Sequence, residues 1–122
     1  MPHLPKARRR RYLPERKREP TGDQRFYNST AWRKTSRSVR QRQPLCEVCT
    51  AIDQVAVADV TDHIIAREDG GADYDPRNLM AMCAYHHNRK SALEGQGLEL
   101  DSKRTMSGRV PVDRDEVIKV LT

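Results

Sequence analysis

The chain has 122 residues, a net charge of +6 and only 36% hydrophobic residues, among them one Phe and one Trp. This length suits one small domain, and so little apolar bulk predicts a core that needs a metal, disulfides or a partner for stability. No segment approaches the roughly 20 apolar residues that cross a bilayer, and the N-terminus has no apolar signal-like stretch, so we expect a cytoplasmic protein without membrane contact.

Positive charge is concentrated near the N-terminus. Residues 1–43 hold 14 Lys and Arg against three acids, a net +11, whereas residues 44–122 hold nine against 14, a net −5. Residues 1–24 are rich in Pro and Arg and are predicted to form a flexible basic arm. Such an arm suits a polyanion such as DNA, and its candidate phosphate contacts are Arg8, Arg9, Arg10 and Arg11. The alternative is a tail that only keeps the protein in solution.

A helix is predicted after the arm, capped by Asn28 or Ser29 and running to about Arg42. We expect this helix to bury Trp32 and Val39. Its cationic side chains are distributed around the axis, where they can reach a phosphate backbone. These candidate DNA contacts are Arg33, Lys34, Arg37 and Arg40.

The middle of the chain alternates between β-type and helical patterns. Residues 45–50 form a predicted cysteine turn, and the β-branched residues of 54–65 predict a strand. Residues 68–77 contain Gly-Gly and Asp-Pro pairs and are predicted to be a loop. A short apolar run at 79–82 leads into a second helix, which is predicted for residues 84–94 and ended by two glycines.

The C-terminal segment has little regular patterning. Within it, Asp113 and Glu116 have the spacing of a helix capping box, so one short helix is predicted up to about Leu121. The predicted organisation is therefore a basic arm at 1–24, a folded domain at 25–97 and a C-terminal extension at 98–122.

The cysteines and one histidine form two pairs with the same spacing. Each pair has two residues between its members, and together they are Cys46, Cys49, Cys83 and His86. Four such ligands make the closed tetrahedral shell of a structural Zn²⁺ ion, and they use the odd third cysteine that a disulfide would leave over. The alternative is three reduced cysteines beside an incidental histidine. A redox Cys-x-x-Cys site is disfavoured because no βαβ pattern accompanies it.

Closing this zinc shell leaves several polar residues without a structural role: Asp62, His63, Asn78, His87 and Lys90. On a helix, neighbouring residues such as His86 and His87 diverge by about 100°, so one imidazole can bind zinc while the other faces the strand. The interpretation in which His87 replaces His86 as the zinc ligand stays open. Neighbours on a regular strand point to opposite faces, so Asp62 and His63 can share a site only at a strand end or bulge.

The order of these residues resembles the HNH endonuclease family. The resemblance covers about residues 26–92 and rests on Asp62-His63-Ile64-Ile65, Asn78-Leu79 and Cys83-x-x-His86-His87-x-x-Lys90. The segment Phe26-Tyr27-Asn28-Ser29 with Trp32-Arg33 is similar to the start of small phage-type members. One difference is His86, because such members commonly have a cysteine as the fourth zinc ligand.

The resemblance implies a small α+β fold in which a ββα-metal core with a zinc knuckle follows a basic helix. It also implies that His63 is the general base that activates water. Asp62 and His87 would hold one catalytic divalent cation, which could be Mg²⁺, Mn²⁺ or Ni²⁺. Asn78 would pin the loop that orients His63 or add a ligand to the cation.

The implied activity is hydrolysis of DNA, by nicking or double-strand cleavage, to 5′-phosphate and 3′-hydroxyl ends. Arg89 and Lys90 would contact a neighbouring phosphate. Members of this type often work with phage terminase in DNA packaging, which implies terminase as a partner and a bacterial host cell as the location. The alternatives are a zinc-stabilised DNA-binding module without cleavage activity, and a zinc-stabilised adaptor that binds proteins through its C-terminal segment.

Overall fold

The computed structural model describes residues 21–122, so the predicted arm up to residue 20, with its four candidate arginines, lies outside the described residues. In chain order, the helices and strands of this range are α1 (Gly22–Asn28), α2 (Thr30–Arg42), α3 (Glu47–Ala51), β1 (Val60–His63), β2 (Leu79–Met82), α4 (Ala84–Gly95), β3 (Ser102–Thr105), β4 (Gly108–Pro111) and α5 (Asp115–Leu121). Within residues 21–122, no helix combines the length and the hydropathy that crossing a membrane requires.

The first two helices begin at well-formed caps. Thr21 and Gln24 make a capping box at the start of α1, a helix that the sequence patterns did not predict. Residues 22–24 are therefore helical and do not belong to a flexible arm, because the box supplies partners for N–H groups of the first turn. Ser29 accepts a hydrogen bond from Trp32 N at 3.2 Å and caps α2, whose start and end agree with the prediction.

β1 and β2 pair antiparallel, with Val60 opposite Met82 and His63 opposite Leu79. All four residues of β2 are buried, as expected for the short apolar run predicted there. α4 follows one residue after β2, so the order β1, β2, α4 confirms the predicted ββα fold.

The strand predicted at 54–65 is longer than the four residues of β1. Before β1, Asp59 N still donates to Met82 O at 2.9 Å, while the side chain of Asp59 accepts a hydrogen bond from Ala84 N at the start of α4. After β1, Ile64 N and Ile65 N donate to the backbone oxygen and the side-chain oxygen of Asn78. The β-branched composition therefore extends beyond the four residues of β1 on both sides.

The loop between β1 and β2 folds back tightly at Gly71. Its N–H donates to Ala66 O at 3.0 Å, and a Cβ at Gly71 would lie only 1.8 Å from Ile65 O. Glycine is therefore required at this close backbone approach. The turn brings the loop back to the end of β1, where Asp73 contacts His63.

β3 and β4 form a second antiparallel pair that was not predicted. Its backbone is joined to the β1–β2 loop, since Ala72 N donates to Arg109 O at 2.9 Å and Arg109 N donates to Gly70 O at 2.8 Å. Neither strand alternates strictly between buried and exposed residues, so the sequence carries no period-two signal for them.

α5 confirms the predicted last helix, although the predicted capping box does not form. Asp113 accepts a hydrogen bond from Asp115 N at 2.9 Å. Glu116 accepts one from Asp101 N at 3.1 Å, so its carboxylate holds the chain before β3 and does not cap the helix.

The hydrophobic core surrounds the three cysteines. Val117 and Leu121 of α5 are buried there with Cys46, Cys49 and the apolar side chains of β2. The segment after residue 97 is therefore not a peripheral extension, because it supplies one side of the core.

Replacing Leu121 by Ala should lower the free energy of unfolding by about 2–4 kcal/mol, because it leaves a cavity in the core. Val120 on the same helix is 37% exposed, so Val120→Ala should change that free energy by less than about 0.5 kcal/mol. Urea unfolding of the zinc-loaded protein measures both changes. Equal effects of the two substitutions would contradict the packing of α5 into the core.

Candidate metal centre and active site

Three thiols and one imidazole converge in the core. The Nδ1 atom of His86 lies 3.3 Å from the sulfur of Cys49 and 3.4 Å from that of Cys83. The sulfur of Cys46 is 3.8 Å from the same nitrogen, and the sulfurs of Cys49 and Cys83 are also 3.8 Å apart. A tetrahedral zinc ion with ordinary bond lengths separates its ligand atoms by about 3.5–3.8 Å. The four buried residues could therefore hold the predicted structural zinc.

The protonation chemistry of this cluster also fits a metal ion. Burial, together with hydrogen bonds to the neighbouring thiols, raises the pKa of Cys49 to about 12. Burial lowers the pKa of His86, so its imidazole is neutral at pH 7 and has a lone pair for a metal. Clustered thiolates repel one another unless a cation lies between them, and zinc supplies that charge.

Both ligand pairs lie at the start of a helix. Cys46 immediately precedes α3, so Cys49 lies in the first turn, and Cys83 immediately precedes α4, so His86 lies in the first turn there. One helical turn brings the second ligand of each pair back beside the first. The structure places His86 in this cluster and His87 outside it, which resolves the alternative that the sequence left open.

On another face of α4, His87 meets Asp62. The Nδ1 atom of His87 lies 3.3 Å from Oδ1 of Asp62, and this contact raises the pKa of His87. Asp62 Oδ2 and His87 Nδ1 are buried without a hydrogen-bond partner among residues 21–122, although Oδ2 forms an ion pair with Lys90. Buried polar atoms are costly when unpaired. The 3.3 Å between Asp62 Oδ1 and His87 Nδ1 suits two ligands of one divalent cation, which fits the predicted site.

His63 is enclosed by hydrogen bonds and aromatic rings. Its Nε2 lies 3.0 Å from the backbone oxygen of Asp73, which can only accept, so Nε2 carries the proton of the neutral ring. Nδ1 therefore has the lone pair, which accepts a hydrogen bond from the hydroxyl of Tyr27 at 3.2 Å. The Trp32 ring stacks on the imidazole, with centroids 4.6 Å apart. Burial lowers the pKa of His63, which keeps the ring neutral at pH 7.

Asp62, His63 and His87 line the same two adjoining pockets, which together form a groove at the end of β1. His63 is the last residue of β1, so the two neighbours lie at a strand end, as the predicted shared site required. Arg67 and Glu94 border the same groove.

Two comparisons point to one family. Residues 46–93 match a family model described as HNH endonuclease. The chain is also similar to a solved structure, the HNH endonuclease of the deep-sea thermophilic bacteriophage GVE2 with a manganese ion. The two sequences are 28% identical, and the TM-score is 0.52. The match covers 61% of this chain and 83% of the phage protein. Residues 46–93 are therefore similar to the HNH endonuclease family. No curated protein matches the chain.

Asn78 of the HNH motif pins the loop between β1 and β2. Its side-chain oxygen accepts a hydrogen bond from Ile65 N at 2.7 Å, and its amide donates to Ile65 O at 3.1 Å and to Ala72 O at 2.9 Å. The side chain is fully buried, so its oxygen is not presented to the groove. This placement fits the first predicted role, orientation of the loop, and does not fit the alternative role of a cation ligand.

The predicted phosphate contact of Lys90 is wrong, because its side chain is fully buried. Its Nζ lies 2.7 Å from Glu94 Oε1 and 2.8 Å from Asp62 Oδ2. A buried ammonium group requires such partners, because its removal from water is costly. Arg89, the preceding residue, is exposed and stays a candidate for phosphate contact.

The cationic side chains of α2 differ in accessibility. Arg33, Lys34 and Arg37 are exposed, whereas Arg40 is half-buried and its Nη1 lies 3.4 Å from Asp59 O. Arg40 is therefore less available for DNA than predicted. Trp32 is buried as expected, but the expected burial of Val39 is only partial.

The aromatic surroundings of His63 were not predicted to belong to the HNH site. The rings of Phe26 and Tyr27 lie 5.8 Å and 5.9 Å from the imidazole, and the Arg67 guanidinium lies 3.6 Å above Phe26. In the sequence, the Phe26-Tyr27 pair contributes only to the family resemblance. Tyr27 and His63 are 36 residues apart in sequence, so no local pattern could place one beside the other.

Replacing His86 by Ala should release the structural zinc, whereas His87→Ala should retain it, because only His86 lies among the cysteines. Zinc content of the purified variants, measured by atomic emission, checks this division. We also expect a chelator to lower the melting temperature of the parent protein and of His87→Ala. Loss of zinc from His87→Ala with retention in His86→Ala would reverse the assignment.

Proposed function

We propose that this HNH protein is a metal-dependent endonuclease that hydrolyses phosphodiester bonds of DNA. The observation that carries the proposal is the meeting of Asp62, His63 and His87 in one groove. Asp62 Oδ1 and His87 Nδ1 lie 3.3 Å apart, which suits two ligands of one cation, and His63 Nδ1 has a lone pair that can take a proton. The match of residues 46–93 to the HNH endonuclease family supports the same reaction class.

In the proposed reaction, His63 is the general base. Its Nδ1 accepts a proton from the water molecule that attacks the scissile phosphate. For this step the water would take the place of the Tyr27 hydroxyl, which lies 3.2 Å from Nδ1. The carbonyl of Asp73 keeps the ring in the accepting tautomer and stabilises the imidazolium that forms.

Asp62 and His87 would hold the divalent cation. When bound, such a cation neutralises charge on the phosphate and stabilises the departing 3′ oxygen. Departure of that oxygen gives the proposed 5′-phosphate and 3′-hydroxyl ends. Since the phage GVE2 structure contains manganese, Mn²⁺ is the first ion to test, followed by Mg²⁺ and Ni²⁺.

Exposed cationic residues would contact the DNA backbone: Arg33, Lys34, Arg37 and Arg89. α2 also carries Trp32, which stacks on His63, so a backbone bound along this helix would lie near the groove. The arm arginines would extend this contact. Such phosphate contacts position DNA without reading its sequence.

A zinc-stabilised DNA-binding module without cleavage activity is the second candidate function. It accounts for the zinc cluster and the exposed basic residues, but it leaves the buried His87 Nδ1, which has no hydrogen-bond partner among residues 21–122, without a function. A role in phage DNA packaging with terminase is a further proposal. It is supported by the phage-type resemblance and by the phage origin of the structural relative.

Replacing His63 by Ala should slow DNA cleavage by about 10²–10⁴-fold, because the reaction loses its general base. Conversion of supercoiled plasmid to nicked and linear forms, with Mn²⁺, Mg²⁺ or Ni²⁺, measures the rate. Asn88→Ala, at an exposed position of α4, is the control and should cleave at the parental rate. Equal rates in His63→Ala and the parent would contradict the base assignment. A parent protein that binds DNA but cleaves it with no ion would favour the binding module.

The double substitution of Arg33 and Arg37 by Gln should weaken DNA binding and reduce its salt dependence. Each lost phosphate contact lowers the slope of log K against log salt by about 0.9, so we expect a change of about 2. Fluorescence anisotropy without divalent cations measures the slope. Lys119→Gln on α5, where the side chain is 75% exposed, is the control and should leave it unchanged. An unchanged slope in the double variant would exclude α2 from the DNA contact.

A further inference from the structure

We propose that Lys90 is a positioning residue of the candidate metal site and also its built-in counter-cation. The proposal rests on the proposed function, because it concerns the same Asp62 carboxylate and the same His63 base. In this role Lys90 holds the backbone of His63 and one oxygen of Asp62, and its charge limits how tightly a divalent cation binds.

The first observation is the environment of the ammonium group. Full burial is rare for a lysine, and no part of the Lys90 side chain is exposed. Its Nζ donates hydrogen bonds to His63 O at 3.0 Å and to Glu94 Oε1 at 2.7 Å. Asp62 Oδ2 lies 2.8 Å away as an ion-pair partner, at an angle that does not make a hydrogen bond. The group thus joins the two adjacent residues proposed for cation binding and proton transfer.

The second observation is that Lys90 shares one helix with both candidate metal-binding histidines. α4 bears the zinc ligand His86, the candidate cation ligand His87 and, one turn later, Lys90. Glu94, a further turn along, fixes the ammonium group from the same helix. A zinc ion that fixes α4 would therefore also fix the position of Lys90 against Asp62 at the end of β1.

The third observation is the balance of charge. Asp62 and Glu94 bring two negative charges to the ammonium group of Lys90, which brings one positive charge. One oxygen of Asp62 faces Lys90, whereas the other lies 3.3 Å from His87 Nδ1. A divalent cation held by Asp62 and His87 would be close to the ammonium group and would be repelled by it.

These contacts predict that loss of the Lys90 ammonium group strengthens cation binding but slows DNA cleavage. Removal of the positive charge should tighten cation binding. Removal of the hydrogen bond to the His63 backbone should slow the reaction, because the base is less well placed. A lysine that only stabilised the fold would not tighten cation binding.

The test is Lys90→Met, which keeps a long side chain and removes the charge. In the full-length, zinc-loaded protein, we expect the Kd for Mn²⁺, measured by electron paramagnetic resonance, to fall about tenfold. At saturating Mn²⁺, kcat for plasmid cleavage should fall about 100-fold. Glu94→Gln is the matched variant, because it removes a negative charge instead of a positive one. It should raise the Kd for Mn²⁺. It should also lower kcat, because the ammonium group of Lys90 loses its ion pair with Glu94.

Unchanged or weaker Mn²⁺ binding by folded Lys90→Met, or an unchanged kcat, would overturn the proposal. Circular dichroism and zinc content show whether the variant folds. If it does not fold, Glu94→Gln decides, and an unchanged Kd or kcat in that variant overturns the proposal. A parent protein that binds Mn²⁺ but cleaves no DNA would refute the proposed function alone, because the Mn²⁺ affinities still decide the role of Lys90.

Discussion

The Cys₃His cluster is the constraint on which the rest of this structure depends. It joins the start of α3, the residue after β2 and the first turn of α4 in a chain whose composition is only 36% hydrophobic. A metal held there would fix both the position of α4 and its rotation about its own axis. Rotation matters because His87 follows His86 by about 100°, so the direction of the candidate cation ligand is set by its neighbour. Stability and chemistry are thereby coupled through one helical turn.

The end of β1 has two different electrostatic environments side by side. His63 faces aromatic rings and a backbone carbonyl, and burial lowers its pKa. Asp62 faces the ammonium group of Lys90 and the imidazole of His87. Strand alternation separates these surroundings, since neighbouring side chains leave the backbone in opposite directions. The strand end keeps both side chains at one groove, so a neutral base and a charged ligand can lie next to each other in sequence.

Local sequence patterns correctly predicted those features of the fold that depend on only a few consecutive residues. Ser29 caps α2 as predicted, and the two Cys-x-x-Cys/His pairs lie at helix starts, where their spacing is useful. Features that depend on residues distant in sequence were either not predicted or predicted wrongly. The β3–β4 pair depends on Gly70, Ala72 and Arg109, and Lys90 was assigned to DNA because an isolated lysine on a helix is usually exposed. Neither the sheet contact nor the burial leaves a periodic signal.

The sequence by itself determined the ligand types, their spacing and the elements that carry them, because helix caps and one-turn ligand pairs depend on neighbours within about four residues. It also led to the HNH family through the order of Asp62, His63, Asn78 and His87. Only the tertiary structure decided which histidine joins the cysteines, which lysine is buried and which aromatic rings enclose His63. Those outcomes depend on contacts between residues that are 25 to 40 positions apart in the chain. The packing of the folded core sets these contacts, and local spacing does not.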